Sequence, residues 1–318
     1  MKKLSLVFLL LIFFASRVYA KENYIDEIYL NAQVDILGSI HVKEAIITNE
    51  DSLSVPIVYK PYTEKQTKEK IEETTFYNAH GLTVKCAKSF KSDKNSFKLL
   101  DKSCTDSKKY KVIEKKDRKI INIKKEKNNN VYLFDYFIDQ ALVSHKDISE
   151  LFFPFISDYN YDIKMANIQV VLSGYTDTFK FYSHSSGKGS LTPLGEKKDG
   201  KNLYNGVILK LNDIPANTVT DVRLLFNKNI TGISEKLINK SNVKSLDRIV
   251  KLEEKKISDT NKKNKIIKMR KTFSMSLIVG YILLGLVLAW YFRKNKIDRK
   301  TIGFYVLLGA LILLFSLK

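Results

Sequence analysis

Hydrophobic residues dominate three blocks at the two ends of the chain. The first covers Leu4 to Ala15, the second Phe273 to Phe292 and the third Ile302 to Leu317. Between the first two blocks, apolar and polar residues alternate with a period of two, which is typical of strands with one buried face. This distribution predicts a β-rich body between one N-terminal and two C-terminal apolar segments.

The N-terminal block has the features of a secretory signal peptide. Lys2 and Lys3 precede it, and Val18-Tyr19-Ala20 follows it. Its apolar run of about a dozen residues is shorter than the roughly 20 that a spanning helix needs. We therefore predict a signal peptide at residues 1–20, cleaved between Ala20 and Lys21, and favour it over an uncleaved anchor helix.

The two C-terminal blocks predict membrane helices. No charged residue occurs from Phe273 to Phe292, and a helix of this length would extend about 30 Å, the thickness of the hydrocarbon core. The third block would extend about 24 Å, near the lower limit for spanning. We predict transmembrane helices at residues 273–292 and 301–317, joined by a loop at residues 293–300.

Basic residues flank the first predicted membrane helix on both sides, so the positive-inside rule alone does not orient it. The preceding group is Lys262, Lys263, Lys265, Lys268, Arg270 and Lys271, and the loop contains Arg293, Lys294, Lys296, Arg299 and Lys300. The signal peptide decides the orientation. We predict a bacterial inner (cytoplasmic) membrane protein with a large exported N-terminal domain, a cytoplasmic loop and an external C-terminus at Lys318. Its first partners would be membrane lipids, which attract the basic groups.

Residues 21–232 are predicted to form the exported domain. The alternation runs from Ile28 to Ile36 and resumes at Ile40 after a turn at Leu37-Gly38-Ser39, where glycine would supply the positive φ of a two-residue hairpin. Further strands are predicted at 55–59, 83–87, 110–113, 120–123, 131–138, 168–172, 178–182, 206–211 and 218–226. Asn128 to Asn130 predict a turn, and Glu64 to Glu73 predict a short helix with i,i+4 pairs. The fold class is mainly β, an antiparallel sandwich-like extracellular domain.

Residues 233–272 differ in composition from the domain before them. From Ser245 to Lys271 there is no glycine or proline, and Lys and Glu are frequent around a thin apolar stripe that begins at Leu246 and Ile249. The pattern predicts a charged helical stalk, with a disordered linker as the alternative.

The chain carries a formal net charge of +20. A basic chain suggests nucleic acid as a partner, but the predicted export separates this protein from cellular DNA and RNA. We predict no nucleic-acid binding. An envelope protein or a wall polymer is the expected alternative partner.

Residues of possible catalytic or metal-binding type do not form a recognisable motif. The four histidines, His41, His80, His145 and His184, have no metal-ligand spacing. His41 is predicted to be solvated on a polar strand face beside Lys43 and Glu44. The run from Ser185 to Ser190 lacks the following helix of a phosphate-binding loop and predicts an exposed turn. Asp135 and Asp139 are predicted to be rim charges rather than a glycosidase pair. We expect no catalytic site, cofactor or metal.

Two cysteines, Cys86 and Cys104, lie in the part predicted to be exported. An even count in an oxidising compartment permits a disulfide, which would stabilise the domain by about 3 kcal/mol in the chain-entropy model. Two free thiols are the alternative.

Four segments together resemble the domain-of-unknown-function family 2207 of predicted bacterial membrane proteins. They are VDILGSIHVKE (34–44), YLFDYFIDQALVSHKDISELFFPFI (132–156), IKMANIQVVL (163–172) and GVILKLNDIPANTVTDVRLLF (206–226). The motifs are a Gly-Ser, Val-x-Glu hairpin, an Ala-Leu-Val segment before an Asp-x-x-Glu-Leu strand, and an Ile-Pro-Ala turn before the last strand. The resemblance implies an exported β domain followed by transmembrane helices.

The chain departs from this family in two respects. Phe152, Phe153 and Phe155 stand where family members usually have a tryptophan, and the chain stops after a helical hairpin. The resemblance therefore implies no chemistry. We predict a membrane-anchored, non-catalytic envelope protein that binds through its β domain. The alternatives are an accessory subunit of a transport or secretion assembly and an enzyme with an unrecognised site.

Overall fold

The computed structural model describes residues 24–60, 79–104, 109–126, 128–230 and 239–294. The predicted signal peptide, the predicted helix at 64–73, most of the predicted loop at 293–300 and the predicted membrane helix at 301–317 lie outside these residues. Within the described part of the chain, β-strands are the main secondary structure, as the alternation predicts.

Fifteen strands are present in the described residues. In chain order they are β1 Tyr24–Val34, β2 Ile40–Ile47, β3 Ser52–Val58, β4 Gly81–Phe90, β5 Tyr110–Glu114, β6 Arg118–Lys124, β7 Val131–Asp139, β8 Leu142–Ser144, β9 Ser149–Ser157, β10 Asp162–Thr176, β11 Phe179–His184, β12 Lys188–Lys198, β13 Lys201–Ile214, β14 Val219–Phe226 and β15 Asn239–Lys240. Two short 3₁₀ helices occur at Phe97–Asp101 and Lys228–Ile230.

The strands form three sheets. A seven-stranded sheet has the order β12-β13-β10-β1-β2-β7-β4, a five-stranded sheet has the order β11-β14-β9-β8-β15, and a three-stranded sheet has the order β3-β6-β5. One hydrophobic core draws side chains from all three sheets, including Ile28 of β1, Val55 of β3 and Phe153 of β9. A second, smaller core lies where Leu99 and Leu100 of the first 3₁₀ helix pack with residues of β1, β2 and β7.

The sheets are not purely antiparallel. Most neighbouring strands are antiparallel, but β1 pairs with β10 in parallel, from Tyr24 opposite Asp162 to Val34 opposite Leu172. The short β15 also pairs with β8 in parallel. A parallel pair needs a long crossover between its strands. Eight strands, β2 to β9, lie between β1 and β10 in the chain, so the local alternation does not reveal this pairing.

The first hairpin differs from its predicted form. β1 ends at Val34 and β2 begins at Ile40 directly opposite it, so the connection has five residues rather than two. The Asp35 carboxylate accepts hydrogen bonds from the backbone N–H groups of Leu37 and Ser39 and so closes the turn. Gly38 has a φ of 80°, the left-handed conformation that glycine favours. Ile36, predicted to be in the strand, is 50% exposed in the turn.

Strand β12 was not predicted. The run from Ser185 does lead through a turn, but Lys188 already begins a strand of eleven residues that pairs with β13. Most side chains of β12 are exposed, so the strand lacks the buried apolar face that produces a recognisable alternation.

Helix α1, Leu246–Lys294, has 49 residues and includes residues 246–272 of the predicted stalk. This part of the stalk is therefore helical rather than disordered. The chain divides into two compact units, Met1–Arg248 and Ile249–Lys318. Among the described residues, no helix is both long and apolar enough to cross a membrane.

Candidate functional site

The most deeply buried charges of the β domain surround Glu150 of β9. Glu150 is fully buried, and its two carboxylate oxygens have different partners. Nε2 of His145 lies 2.7 Å from Oε2, and Nε of Arg223 on β14 donates to Oε1 at 2.6 Å. Both partners are also buried. These residues are called the Glu150 cluster below.

The partners of Glu150 determine the pKa of its buried carboxyl. Burial alone would raise the pKa of this carboxyl, but the hydrogen bond with His145 and the positive charge of Arg223 outweigh that effect and hold the pKa below its usual range. Glu150 is therefore ionised at neutral pH, and a charge-assisted hydrogen bond joins it to Arg223.

Aromatic contacts extend the Glu150 cluster along the same sheet. The guanidinium of Arg223 lies 4.2 Å from the ring centroid of Phe152, its register partner on β9. The Phe152 ring meets the His184 ring edge-on, with centroids 6.4 Å apart. Nδ1 of His184 lies 2.8 Å from the carboxylate of Asp221. Strands β9, β11 and β14 thus share one line of polar and aromatic side chains.

Asp147 links the loop before β9 to the start of helix α1. Its carboxylate accepts hydrogen bonds from the backbone N–H groups of Ser245, at 2.8 Å, and Leu246, at 3.1 Å. Burial acts to raise the pKa of Asp147, but these hydrogen bonds more than offset it, so the pKa is lowered. A carboxylate at this position satisfies the free N–H groups of the helix N-terminus.

A second buried carboxyl, Glu44, has no cation among its described partners. Glu44 lies on the core-facing side of β2 and is 1% exposed. The hydroxyl of Tyr159 donates to it at 2.7 Å, and that of Tyr136 lies at a longer 3.4 Å. Burial raises the pKa of Glu44 to about 7, although the two tyrosine hydrogen bonds act to lower it. This carboxyl therefore takes up a proton closer to neutral pH than an exposed glutamate does.

The outer face of the seven-stranded sheet carries a third polar group, and it corrects two predictions. His41 is not simply solvated, because its Nε2 lies 2.8 Å from the carboxylate of Asp135 and its ring stacks on Phe137. Asp135 is not a rim charge, because it is 8% exposed. Both partners of His41 lie on β7, and Asp135 is 94 residues further along the chain. The local sequence therefore does not indicate them.

Cys86 of β4 and Cys104 form a disulfide that ties the end of the 3₁₀ helix region to the sheet. Lys262, Lys263 and Lys265 are exposed on helix α1, and Lys294 is exposed at its end. The side chains of Lys268, Arg270, Lys271 and Arg293 lie outside the described ones, as do Ala20, Lys21, Lys296, Arg299 and Lys300 entirely.

No group of three or more metal-ligating side chains occurs in the part of the chain that the structure describes. Sequence reasoning missed the Glu150 cluster because Arg223 lies on β14, 73 residues along the chain from Glu150. The sequence signal for these buried carboxyls was the pair of motifs that contain them. Glu44 is the last residue of the Val-x-Glu motif, and Asp147 and Glu150 are the first and last residues of the Asp-x-x-Glu motif.

Similarity to solved structures is weak. One is a protein assigned provisionally as a protease from Parabacteroides distasonis, with 11% identity, a TM-score of 0.32 and coverage of 65% of this chain and 41% of that one. Another is an M1 zinc metallopeptidase from Deinococcus radiodurans, with 9% identity, a TM-score of 0.30 and coverage of 64% and 42%. The chain thus spans about two fifths of those proteins, and similarity at this level carries no argument about function.

No curated protein matches the sequence. A family model described as the N-terminal domain of a predicted membrane protein, DUF2207, matches residues 24–226. The match covers the seven-stranded sheet, the Glu150 cluster and Glu44, and ends with the last residue of β14. The chain is therefore a member of the DUF2207 family of predicted membrane proteins, whose function is unknown.

Proposed function

We propose that this protein is a non-catalytic envelope protein, anchored in the bacterial cytoplasmic membrane by its C-terminal helices, and that it binds an envelope component through its exported β domain. The observation that carries the proposal is the continuity of helix α1. It begins at the Asp147 cap and continues without a break to Lys294, through the uncharged segment 273–292.

The described side chains near the end of helix α1 support membrane contact. Val287, Trp290 and Tyr291 are 59%, 63% and 51% exposed, an unusual set for a helix surface in water. Nζ of Lys294 lies 5.2 Å from the Trp290 ring centroid. A tryptophan and a lysine at the end of an apolar segment are typical of the membrane–water boundary. Most other side chains of 273–292 lie outside the described ones.

The sequence supports the orientation. A signal peptide at residues 1–20 would export the β domain, and the helical hairpin of 273–292 and 301–317 would then place the loop 293–300 in the cytoplasm. The disulfide between Cys86 and Cys104 is consistent with an oxidising compartment.

Binding rather than catalysis is supported by how the domain uses its reactive side chains. The carboxylates of Glu150, Asp147 and Asp135 each have a structural partner, and so does the imidazole of His145. Groups engaged in this way position strands and a helix.

Crosslinking in intact cells tests the proposal. The full chain and a variant that lacks residues 24–245 but keeps the signal peptide and the helices would be crosslinked and recovered under denaturing conditions. We expect the full chain alone to recover a wall polymer or an envelope protein. Equal recovery by both variants would contradict binding through the β domain and would favour a role for the helices in a transport or secretion assembly.

A further inference from the structure

A β-bulge places one lysine over an aromatic ring on the outer face of the seven-stranded sheet. The pairing of β4 with β7 shifts between Val84 and Cys86, so Lys85 is the extra residue. Bulges redirect a side chain away from the regular alternation. Nζ of Lys85 lies 4.3 Å from the ring centroid of Phe137 on β7, and Lys85 remains exposed.

His41 of β2 flanks the same ring from the other neighbouring strand. Its imidazole is parallel to the Phe137 ring, with an interplanar angle of 5° and centroids 4.3 Å apart. Asp135 engages Nε2 of His41 and so fixes the ring, whose side chain is 28% exposed. A ligand that approaches Lys85 would therefore meet a pre-oriented imidazole.

Three more lysines lie around this position. Lys43 follows His41 by two residues on the same strand face and donates to the carbonyl oxygen of Leu100 at 3.3 Å. Nζ of Lys88 on β4 donates to the carbonyl oxygen of Ser103, next to Lys102 and to the disulfide-bonded Cys104. The pKa of Lys88 is lowered, first by burial and then by the positive charge of Lys102.

Two carboxylates share this face of β7. Asp135 is committed to His41, and Asp139 lies at the end of the strand, opposite Gly81. Four lysines thus lie on or beside this face with the two carboxylates, and Lys43, Lys88 and Asp135 already have hydrogen-bond partners. An anion with several oxygen atoms would reduce the repulsion among the lysines, whereas a neutral ligand would not.

We infer that the surface formed by His41, Lys43, Lys85, Lys88 and Lys102 binds the phosphate groups of an anionic envelope polymer with phosphodiester linkages. The inference rests on the proposed function, which places the surface outside the cytoplasm, where nucleic acid is not the available polyanion. Lysine ammonium groups bind phosphate as point charges without a fixed geometry, which suits a repeating, flexible polymer.

The test uses the full-length chain in nanodiscs of zwitterionic phosphatidylcholine, with a soluble glycerol phosphate oligomer as the probe and calorimetry as the measurement. We expect Lys85→Gln to weaken the affinity about tenfold, the loss of one charge-assisted contact. Lys111→Gln, which removes an exposed lysine on β5 of the three-stranded sheet, is the matched control, and we expect it to change the affinity less than about twofold. Circular dichroism checks that both variants fold.

Two further arms identify the source of the phosphate. One arm uses nanodiscs with phosphatidylglycerol and no oligomer, and the other replaces the oligomer with a neutral glycan of similar length. Neither arm should give a binding signal at this surface. Three results would each overturn the inference. They are an equal loss of affinity in the two lysine variants, binding only to phosphatidylglycerol, and no binding of the oligomer by the unaltered chain. Because this assay does not depend on where the domain lies in the cell, its failure is distinguishable from failure of the proposed export and of partner capture.

Discussion

Glu150 and Glu44 are both carboxyls in the interior of the β domain, yet their pKa values move in opposite directions. Glu150 is paired with Arg223 and His145, and its pKa is lowered. Among the described residues, Glu44 meets two tyrosine hydroxyls and no cation, and its pKa rises to about 7. Burial raises the pKa in both cases, so the charge of the partner decides the result.

The comparison separates two ways of keeping a polar residue inside a sheet protein. A buried ion pair is strongly destabilised when one partner is removed, because an uncompensated charge remains. A buried carboxyl among neutral donors can instead take up a proton. The Glu150 cluster should therefore be sensitive to the loss of one charged partner, whereas Glu44 should make the stability depend on pH.

The largest expected effect is that of Arg223→Met, which leaves Glu150 without its cation. We expect a loss of about 3–5 kcal/mol in the free energy of unfolding, measured by urea denaturation of the full chain in detergent with far-ultraviolet circular dichroism. The double variant with Glu150→Gln should recover part of the loss. A loss below about 1 kcal/mol would mean that the cluster does not hold β9 against β14.

The next effect is the pH dependence that Glu44 contributes. Its pKa is raised from 4.5 to about 7 on folding, so the folded protein binds the proton more tightly than the unfolded chain. The contribution to stability is fully present below pH 4.5 and is lost as the pH rises through about 7, a total of about 3 kcal/mol.

Glu44→Gln supplies the control for this pH effect, because the amide keeps the shape of the side chain without its titration. The difference in unfolding free energy between the variant and the unaltered chain should grow in favour of the variant from pH 5 to pH 8. Parallel stability profiles for the two chains would contradict the raised pKa.

A smaller effect distinguishes the two tyrosines around Glu44. Tyr159→Phe removes the 2.7 Å hydrogen bond and should cost about 1–2 kcal/mol at pH 8, while raising the pKa of Glu44 further. Tyr136→Phe removes the 3.4 Å contact and should cost less. Denaturation of both variants at pH 8 measures the difference, and the reverse ranking would be inconsistent with this geometry.

The smallest expected effect is at the helix cap. Asp147→Ala should destabilise the start of helix α1 by about 1 kcal/mol, because the N–H groups of Ser245 and Leu246 lose their acceptor. Amide hydrogen exchange should become faster in the first turn of the helix and remain unchanged in β9. Unchanged exchange at Leu246 would show that the cap contributes little.

The alternation in the sequence predicted strands with buried alternate residues, such as Ile40, Val42 and Ile46 of β2. It recovered β2 and β7, whose apolar residues enter the main core, and it failed at β12, whose side chains are mostly exposed. It also could not indicate the parallel pairing of β1 with β10, because pairing across a long crossover leaves no local pattern.

The polar interior was harder to predict than the strands. Glu150 and Arg223 are 73 residues apart, and Glu44 and Tyr159 are 115 apart. Each residue alone has the appearance of a solvated charge or a ring on a strand face. Their burial depends on which strands become neighbours, so only tertiary structure reveals it.

Labelling of intact cells with a membrane-impermeant amine reagent, followed by mass spectrometry, tests most directly whether the β domain lies outside the membrane. The account predicts that Lys85 and Lys111 are modified in intact cells, whereas Lys296 and Lys300 are modified only after permeabilisation. Modification of Lys85 and Lys111 only after permeabilisation would contradict export of the domain and, with it, the proposed function.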